Sequence, residues 1–328
     1  MSDGHPFERL TPDVMQDAMD DHGWLTDGRF LTLNSYENRV FQVGQDEGDP
    51  VIAKFYRPQR WSDAQILEEH AFCQELVDHE LPVVAPVSRA GTTLFQYGEF
   101  RFSVYPRRGG HAPALDDPDT LLVLGRTLAR LHNVGAARAF QTRPTLSIDS
   151  FGHDSVRFLT EHFIPDDLRA AWDSLTRDVL SEVEALFAAC PDVPLLRVHG
   201  DFHGGNVLWR DDLPNLVDLD DARMAPAMQD IWMLLSGDHM QQQSQLAEII
   251  EGYEEFRDFP VRELRLVEAL RTLRMLYFAA WIGQRWDDPA FPRVFSWFDT
   301  PRYWGDLILD LREQLANMQG EVLTRPAP

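Results

Sequence analysis

No stretch of this chain constrains its fold more than His199-Gly200-Asp201-Phe202-His203-Gly204-Gly205-Asn206 and the two short apolar runs behind it. Val207-Leu208-Trp209 and Leu216-Val217-Asp218 stand on either side of the polar turn Arg210 to Asn215, a pattern that specifies a β-hairpin. A hairpin lays its strand ends side by side, so Asn206, ahead of the first strand, comes next to Asp218, at the end of the second. A neutral oxygen donor beside a carboxylate suits a hard cation such as Mg²⁺, which keeps several waters and takes few protein ligands. Asp201 precedes Asn206 by five residues on a glycine-flanked loop and can face the same place, where it would orient or deprotonate an attacking hydroxyl.

An Asp, an Asn five residues on and a hairpin leading to a second Asp is the order of the catalytic and metal loops in kinase-type phosphoryl transfer. Such chemistry also needs a cation for the nucleotide phosphates. Lys54 supplies it, because it stands in the apolar strand Val51 to Tyr56, where a lysine fits poorly unless its ammonium has a partner. Glu68 and Glu69 on the next helix are the candidate partners. Glu69 is favoured, since Phe72 and Leu76, three and seven residues on, would pack its flank into the core. The turn Asn34 to Asn38 lies where a phosphate-covering loop belongs, and it has no glycine, so the Ser35 hydroxyl and backbone N–H groups would do the holding.

At 328 residues the chain is long enough for two lobes. Thr11-Pro12-Asp13 opens a short amphipathic helix, strands are expected over 30–33, 39–43 and 51–56, and Ser62 caps a second helix. A further hairpin is expected over 93–97 and 100–105, and Pro106-Arg107-Arg108-Gly109-Gly110 reads as a linker. Beyond it helices are expected over 120–132, 166–189, 241–256 and 261–286, broken by one β segment within 195–221. The expectation is an α+β, bilobal protein-kinase-like fold, with a β-rich N-lobe (1–105) that binds nucleotide phosphates and a larger, mainly helical C-lobe (106–328).

The 53 acidic against 30 basic side chains leave a net charge of −23, which argues against binding nucleic acid or an anionic membrane surface. A phosphate compound would therefore need local cations, backbone N–H groups or a metal. Cys73 and Cys190 lie in apolar stretches and suggest buried thiols rather than a disulfide framework. The N-terminus has no basic region leading into an apolar one, and the most apolar stretch, Met275 to Gly283, is too short for a bilayer. A cytoplasmic protein is therefore expected, with monomer as the default.

The block 199–206 with Val217-Asp218-Leu219-Asp220-Asp221 resembles the aminoglycoside phosphotransferase and choline kinase branch of the protein-kinase-like fold. Leu33-Asn34-Ser35-Tyr36-Glu37-Asn38-Arg39-Val40, Lys54-Phe55-Tyr56-Arg57-Pro58, Ile66-Leu67-Glu68-Glu69-His70 and Gln229-Asp230-Ile231-Trp232-Met233-Leu234-Leu235 are similar to the stress response kinase A proteins, from about Thr11 to about Trp304. The resemblance implies an ATP-dependent serine/threonine protein kinase that also phosphorylates itself and serves survival under stress. It implies Asp201 as the catalytic base, Asn206 and Asp218 as Mg²⁺ ligands, Ser35 as an ATP contact and Lys54 on the α- and β-phosphates. The metal loop departs from ordinary protein kinases in reading Asp218-Leu219-Asp220, and no Ala-Pro-Glu comes after it.

Blander readings stand beside these. Asp201 and Asn206 are also ordinary turn residues, and the alternating His199, Asp201 and His203 could hold zinc in a hydrolase. Asp220 could touch a second metal, while Asp230 reads most simply as a helix N-cap. Lys54 could snorkel to the surface. Arg107 and Arg108 read as a solvated linker, and Trp281, Trp286, Phe295, Trp297, Phe298, Tyr303 and Trp304 as core with an exposed part able to line a substrate site. Two other functions fit the same residues: a small-molecule kinase acting on an aminoglycoside, choline or homoserine-like hydroxyl, and a nucleotide-sensing module without turnover.

Overall fold

The computed structural model describes residues 5–325. In chain order its regular elements begin with helix α1 (Pro12–Asp21), strands β1 (Thr26–Thr32), β2 (Arg39–Gln45) and β3 (Val51–Phe55), helix α2 (Asp63–Asp78) and strands β4 (Phe95–Tyr97) and β5 (Phe100–Pro106). Next come α3 (Pro118–Ala136), α4 (Asp154–His162), α5 (Arg169–Ala189), β6 (Leu196–Val198), β7 (Val207–Arg210), β8 (Leu213–Leu216) and β9 (Arg223–Ala225). The chain ends in α6 (Met228–Ile231), α7 (His239–Glu254), α8 (Val267–Gly283), α9 (Ala290–Val294) and α10 (Pro301–Met318). Two compact units result. One runs to Pro113 and takes in Phe140–Arg143 and Gly204–Ala222, and the other holds Ala114–Ala139, Pro144–His203 and the chain from Arg223 onward.

The first unit is built on an antiparallel sheet in the order β1-β2-β3-β5-β4. Helix α1, capped by Thr11 with Pro12 at its first position, buries Met15, Ala18 and Met19 in a core with Trp24, Val43, Ala53, Phe55, Phe95, Phe102 and Val104. Lys54 lies between Val40 of β2 and Ser103 of β5 in the register. Strand β1 begins earlier than its sequence suggests. Its first half, Thr26-Asp27-Gly28-Arg29, is polar, contains the positive-φ Gly28 and breaks register before Phe30, so no apolar alternation announces it. In α2 the Ser62 and Gln65 side chains form a reciprocal capping box.

The hairpin β7–β8 belongs to the same unit. Its turn is shorter than expected, because Arg210 pairs with Leu213 and only Asp211 and Asp212 lie between them, both at positive φ (52° and 57°). That is the two-residue turn whose twist matches paired strands, and aspartate is among the residues that tolerate it. Backbone bonds fix the hairpin in place: Leu216 N–H donates to Pro82 C=O (2.7 Å), and Val84 N–H to Leu216 C=O (2.9 Å).

The second unit is mainly helical. Helices α3 and α7 meet backbone to backbone at Gly125 and Gly252, where an added Cβ would fall 2.3 Å from Ile249 O and 2.0 Å from Leu122 O. Several features differ from the sequence expectations. Helices α4, α9 and α10 are additional, β9 lies beyond the expected β segment, and Val261–Leu266 is a 3₁₀ segment ahead of α8 rather than part of one long helix. Cys73 and Cys190 are buried free thiols. Among the described residues no helix is long and apolar enough to cross a membrane.

Candidate active site

Asn206 closes a 3₁₀ turn, Gly204–Asn206, directly ahead of β7. Its carbonyl accepts the N–H of Val217 (3.0 Å), so the hairpin brings Asn206 beside the segment that ends in Asp218. Asp218 adopts left-handed backbone angles (φ 59°, ψ 62°), a conformation that costs a non-glycine residue about 1 kcal/mol or more and gathers at functional sites.

Lys54 Nζ donates to Asp218 Oδ1 at 2.8 Å and stands 3.3 Å from Asp220 Oδ1. Burial works against the charge on this amine, but Asp218 and Asp220 outweigh it and raise its pKa well above the usual value. The buried, paired ammonium replaces the snorkelling alternative. The expected partner Glu69 gives way to Asp218 and Asp220, which are the ion-pair partners of Lys54. Glu69 accepts instead from Cys73 Sγ (3.6 Å), and its Oε2 finds no hydrogen bond among the described residues. Burial, only partly offset by Lys54, pushes its carboxyl up to about 7. Glu68 turns the other way and accepts the N–H groups of Gln141 (2.5 Å), Thr142 (2.8 Å) and Arg143 (2.9 Å).

Asp220 is the centre of a buried charge network that sequence reasoning missed. Its Oδ2 accepts from Asn38 Nδ2 (3.1 Å) and from Arg60, whose Nη2 lies 3.0 Å from Asp221. Arg143 donates to its backbone carbonyl. Burial pushes the Asp220 carboxyl up, but Arg60 and then Lys54 reverse the effect and hold it at about 2. Asn38 also accepts the Arg57 N–H on its Oδ1 (3.0 Å), so its side chain ties the loop 34–38 both to Asp220 and to the segment after β3. Ser35 Oγ donates to the Asn38 carbonyl (3.2 Å) and so shapes the loop from within. Nothing local in Arg57-Pro58-Gln59-Arg60-Trp61 names Asp220 as the partner of Arg60.

In the second unit, Asp201 sits on a loop that is held by its own backbone. The N–H groups of His199 and Gly200 both donate to the Asp230 carboxylate, each at 2.8 Å, and the Gly200 carbonyl accepts from Gln229 (3.2 Å). Asp230 is thus not the N-cap suggested by its position. It lies inside α6, fully buried, with His132 Nε2 at 3.3 Å from Oδ2, the oxygen that also accepts from His199. His199 is fully buried and its Nδ1 accepts the Asp201 N–H (3.4 Å). The Asp201 carboxylate is met by Arg274 Nη2 on Oδ1 (2.5 Å) and by His203 Nε2 near Oδ2 (3.4 Å). Arg274 lies 73 residues downstream, and nothing local in the sequence points to it.

The donor set of the first unit fits a divalent cation and nucleotide phosphates: a half-exposed carboxylate (Asp218), an adjacent amide residue (Asn206) and a buried ammonium. Among the described residues no three His, Cys, Asp or Glu side chains converge as metal ligands. Arg107 and Arg108 stand apart, lining a cleft of about 450 Å³ with Arg210.

Residues 30–266 match the model of the phosphotransferase enzyme family. The chain is 44% identical to stress response kinase A of Escherichia coli over 299 residues, covering 91% of this chain and 90% of that protein. Over the same shares it is 42% identical to the serine/threonine protein kinase RdoA of Salmonella typhimurium. Among solved structures, amicoumacin kinase bound to AMP-PNP and Ca²⁺ superposes with a TM-score of 0.72 (17% identity, 94% of each chain). A microcompartment-associated aminopropanol kinase superposes at 0.71 (18% identity, 94% of this chain and 97% of that one). The structural likeness gives the kinase-like fold, and the sequence identity gives the branch: this chain belongs to the phosphotransferase enzyme family, among its stress response kinases.

Proposed function

We propose that this chain is an ATP-dependent serine/threonine protein kinase that also phosphorylates itself, a monomer working in the cytoplasm with Mg²⁺ in support of survival under stress. The reading is supported above all by the contact between Lys54 and Asp218, residues 164 apart in sequence that meet beside Asn206. A buried lysine paired with a strained aspartate is what a phosphate and cation site requires, and a plain turn has no use for it. The choice of a protein acceptor rests on the names of the two bacterial relatives.

In this reading Asp201 accepts the proton of the acceptor hydroxyl as its oxygen bonds to the γ-phosphorus and the bond to the leaving ADP breaks. Asp230 holds the Asp201 loop through two backbone N–H groups. Lys54 and the Ser35 loop keep the nucleotide phosphates, and the buried Glu69 carboxyl lies near that lysine. Asn206 and Asp218 would hold the cation, which neutralises charge on the phosphate oxygens when bound.

The test is transfer of label from γ-labelled MgATP to the protein itself and to a generic protein substrate, with small alcohols and aminoglycosides in parallel. Asp201→Asn is expected to fold and bind MgATP yet to lose at least about 10³-fold in rate. Label on small alcohols alone would move the acceptor class while keeping the site, and a variant with near-normal turnover would remove Asp201 from its role.

A further inference from the structure

We propose that the half-exposed face of α8 is the acceptor-docking surface of this kinase, and that Arg274 on it selects a serine- or threonine-bearing segment with a carboxylate beside the hydroxyl. The proposal rests on the kinase reading and deepens it. Its starting point is the guanidinium at Asp201. Arg274 gives one N–H to Asp201 Oδ1 at 2.5 Å, and its side chain keeps 24% of its surface exposed. A guanidinium carries about five donors, and Asp201 is the one hydrogen-bonding partner of Arg274 among the described residues. Donors left over beside a catalytic carboxylate, in a chain of net charge −23, are placed for an anion that arrives with the hydroxyl.

The same helix face continues the surface. Phe278 and Trp281 come four and seven residues later, and both are half-exposed. The Arg274 guanidinium lies 5.8 Å from the Phe278 ring centroid, and the Phe278 and Trp281 rings stack at 5.7 Å with an interplanar angle of 15°. Thr272, Leu273, Leu276, Ala279 and Ala280 bury the opposite side of α8, while Phe291 and Phe295 meet the Trp281 ring (5.1 and 6.0 Å) and Phe295 the Phe278 ring (6.3 Å) and leave part of each exposed. From Arg274 to Trp281 is about 10 Å of helix, a length that an extended segment of three or so residues spans and a small hydroxy acid does not. A flanking carboxylate docks on Arg274, and the next apolar side chain lies on the rings. Arg274 is thus a positioning residue for Asp201 and a specificity residue for the acceptor. The overall negative charge repels an acidic segment at long range, so the selection is a contact effect.

The test uses the full chain with MgATP and three peptides carrying one central serine flanked by Glu, by Gln or by Lys, with free L-threonine and its amide in parallel. The wild type is expected to favour the Glu-flanked over the Gln-flanked peptide by about 10-fold in kcat/KM, the scale of one charge-assisted hydrogen bond. Arg274→Gln should bring that ratio to about one, and Arg274→Lys should keep most of it. Phe278→Ala should raise KM for every peptide and leave the ratio alone, which a loss of fold would not do. Equal rates on the Glu and Gln peptides, a ratio unchanged in Arg274→Gln, or faster transfer to threonine than to any peptide would each overturn the docking surface alone. Wild-type protein that labels no acceptor and not itself would instead sink the kinase reading and this proposal with it.

Discussion

Asp230 carries more of this site than its place inside a short helix suggests. A buried carboxylate that accepts two main-chain N–H groups at 2.8 Å fixes the loop on which Asp201 stands, while His132 and Tyr253 continue the network behind it. Its removal leaves two buried donors unsatisfied, each worth about 1–3 kcal/mol. Asp230→Ala is therefore expected to lower the unfolding free energy by about 3 kcal/mol and to cut turnover about 10²-fold or more with little change in MgATP affinity. Urea unfolding beside single-turnover rates would check it, and an unchanged rate would show that the loop holds without this clamp. At this scale the sequence is partly legible. Asp201, Asn206, Asp218 and Lys54 stand out as candidates by residue type and spacing. The partner of Lys54 does not, because helical spacing places Glu69 near the lysine but says nothing of the competing aspartates from a loop 164 residues away. Arg274 has no local signal for the same reason.

Among the elements, the 3₁₀ segment Val261–Leu266 shows what pattern reading cannot see. Its apolar run reads as one helix with α8, whereas Glu263 turns back to accept the N–H of Met228 at the start of α6 (2.9 Å). Helix α10 is legible in principle: Thr300-Pro301 repeats the cap signal of Thr11-Pro12. Glu263 also gives this layer a pH dependence. Burial raises its carboxyl from the ordinary value of 4.5 to about 7, against the pull of the Met228 N–H and Arg257. The folded state then keeps a proton that the unfolded chain gives up, so stability falls as pH rises from 4.5 to about 7 and levels off above. The loss is on the order of 3 kcal/mol. Glu263→Gln keeps the acceptor for Met228 and should be more stable than the wild type at about pH 8 but not at about pH 4.5. Unfolding curves at the two pH values decide, and parallel curves for both proteins would remove Glu263 as the cause.

For the whole molecule the dominant fact is charge. With 53 acidic and 30 basic side chains the folded state repels itself, and the ion pairs around Asp220 are local relief from a general excess. Raising NaCl from about 10 mM to about 200 mM screens the long-range repulsion more than the buried pairs, so the melting temperature should rise. A melting temperature that falls with salt would mean that exposed pairs outweigh the net charge. The change from a strand-rich to a helical pattern is readable along the chain, but the assignment of Gly204–Ala222 to the first unit is not, because nothing along the chain says which partner a distant hairpin will choose.

That choice makes the two halves of this enzyme indivisible. A fragment ending at Pro113 would lack the hairpin whose backbone answers Pro82 and Val84, and Lys54 would be left buried without its two counter-ions. Neither half can therefore be exchanged between relatives as a cassette cut once at the linker. A working chimera would need several junctions, one of them between His203 and Gly204, so Asp201 and Asn206 on either side of it are bound to change together.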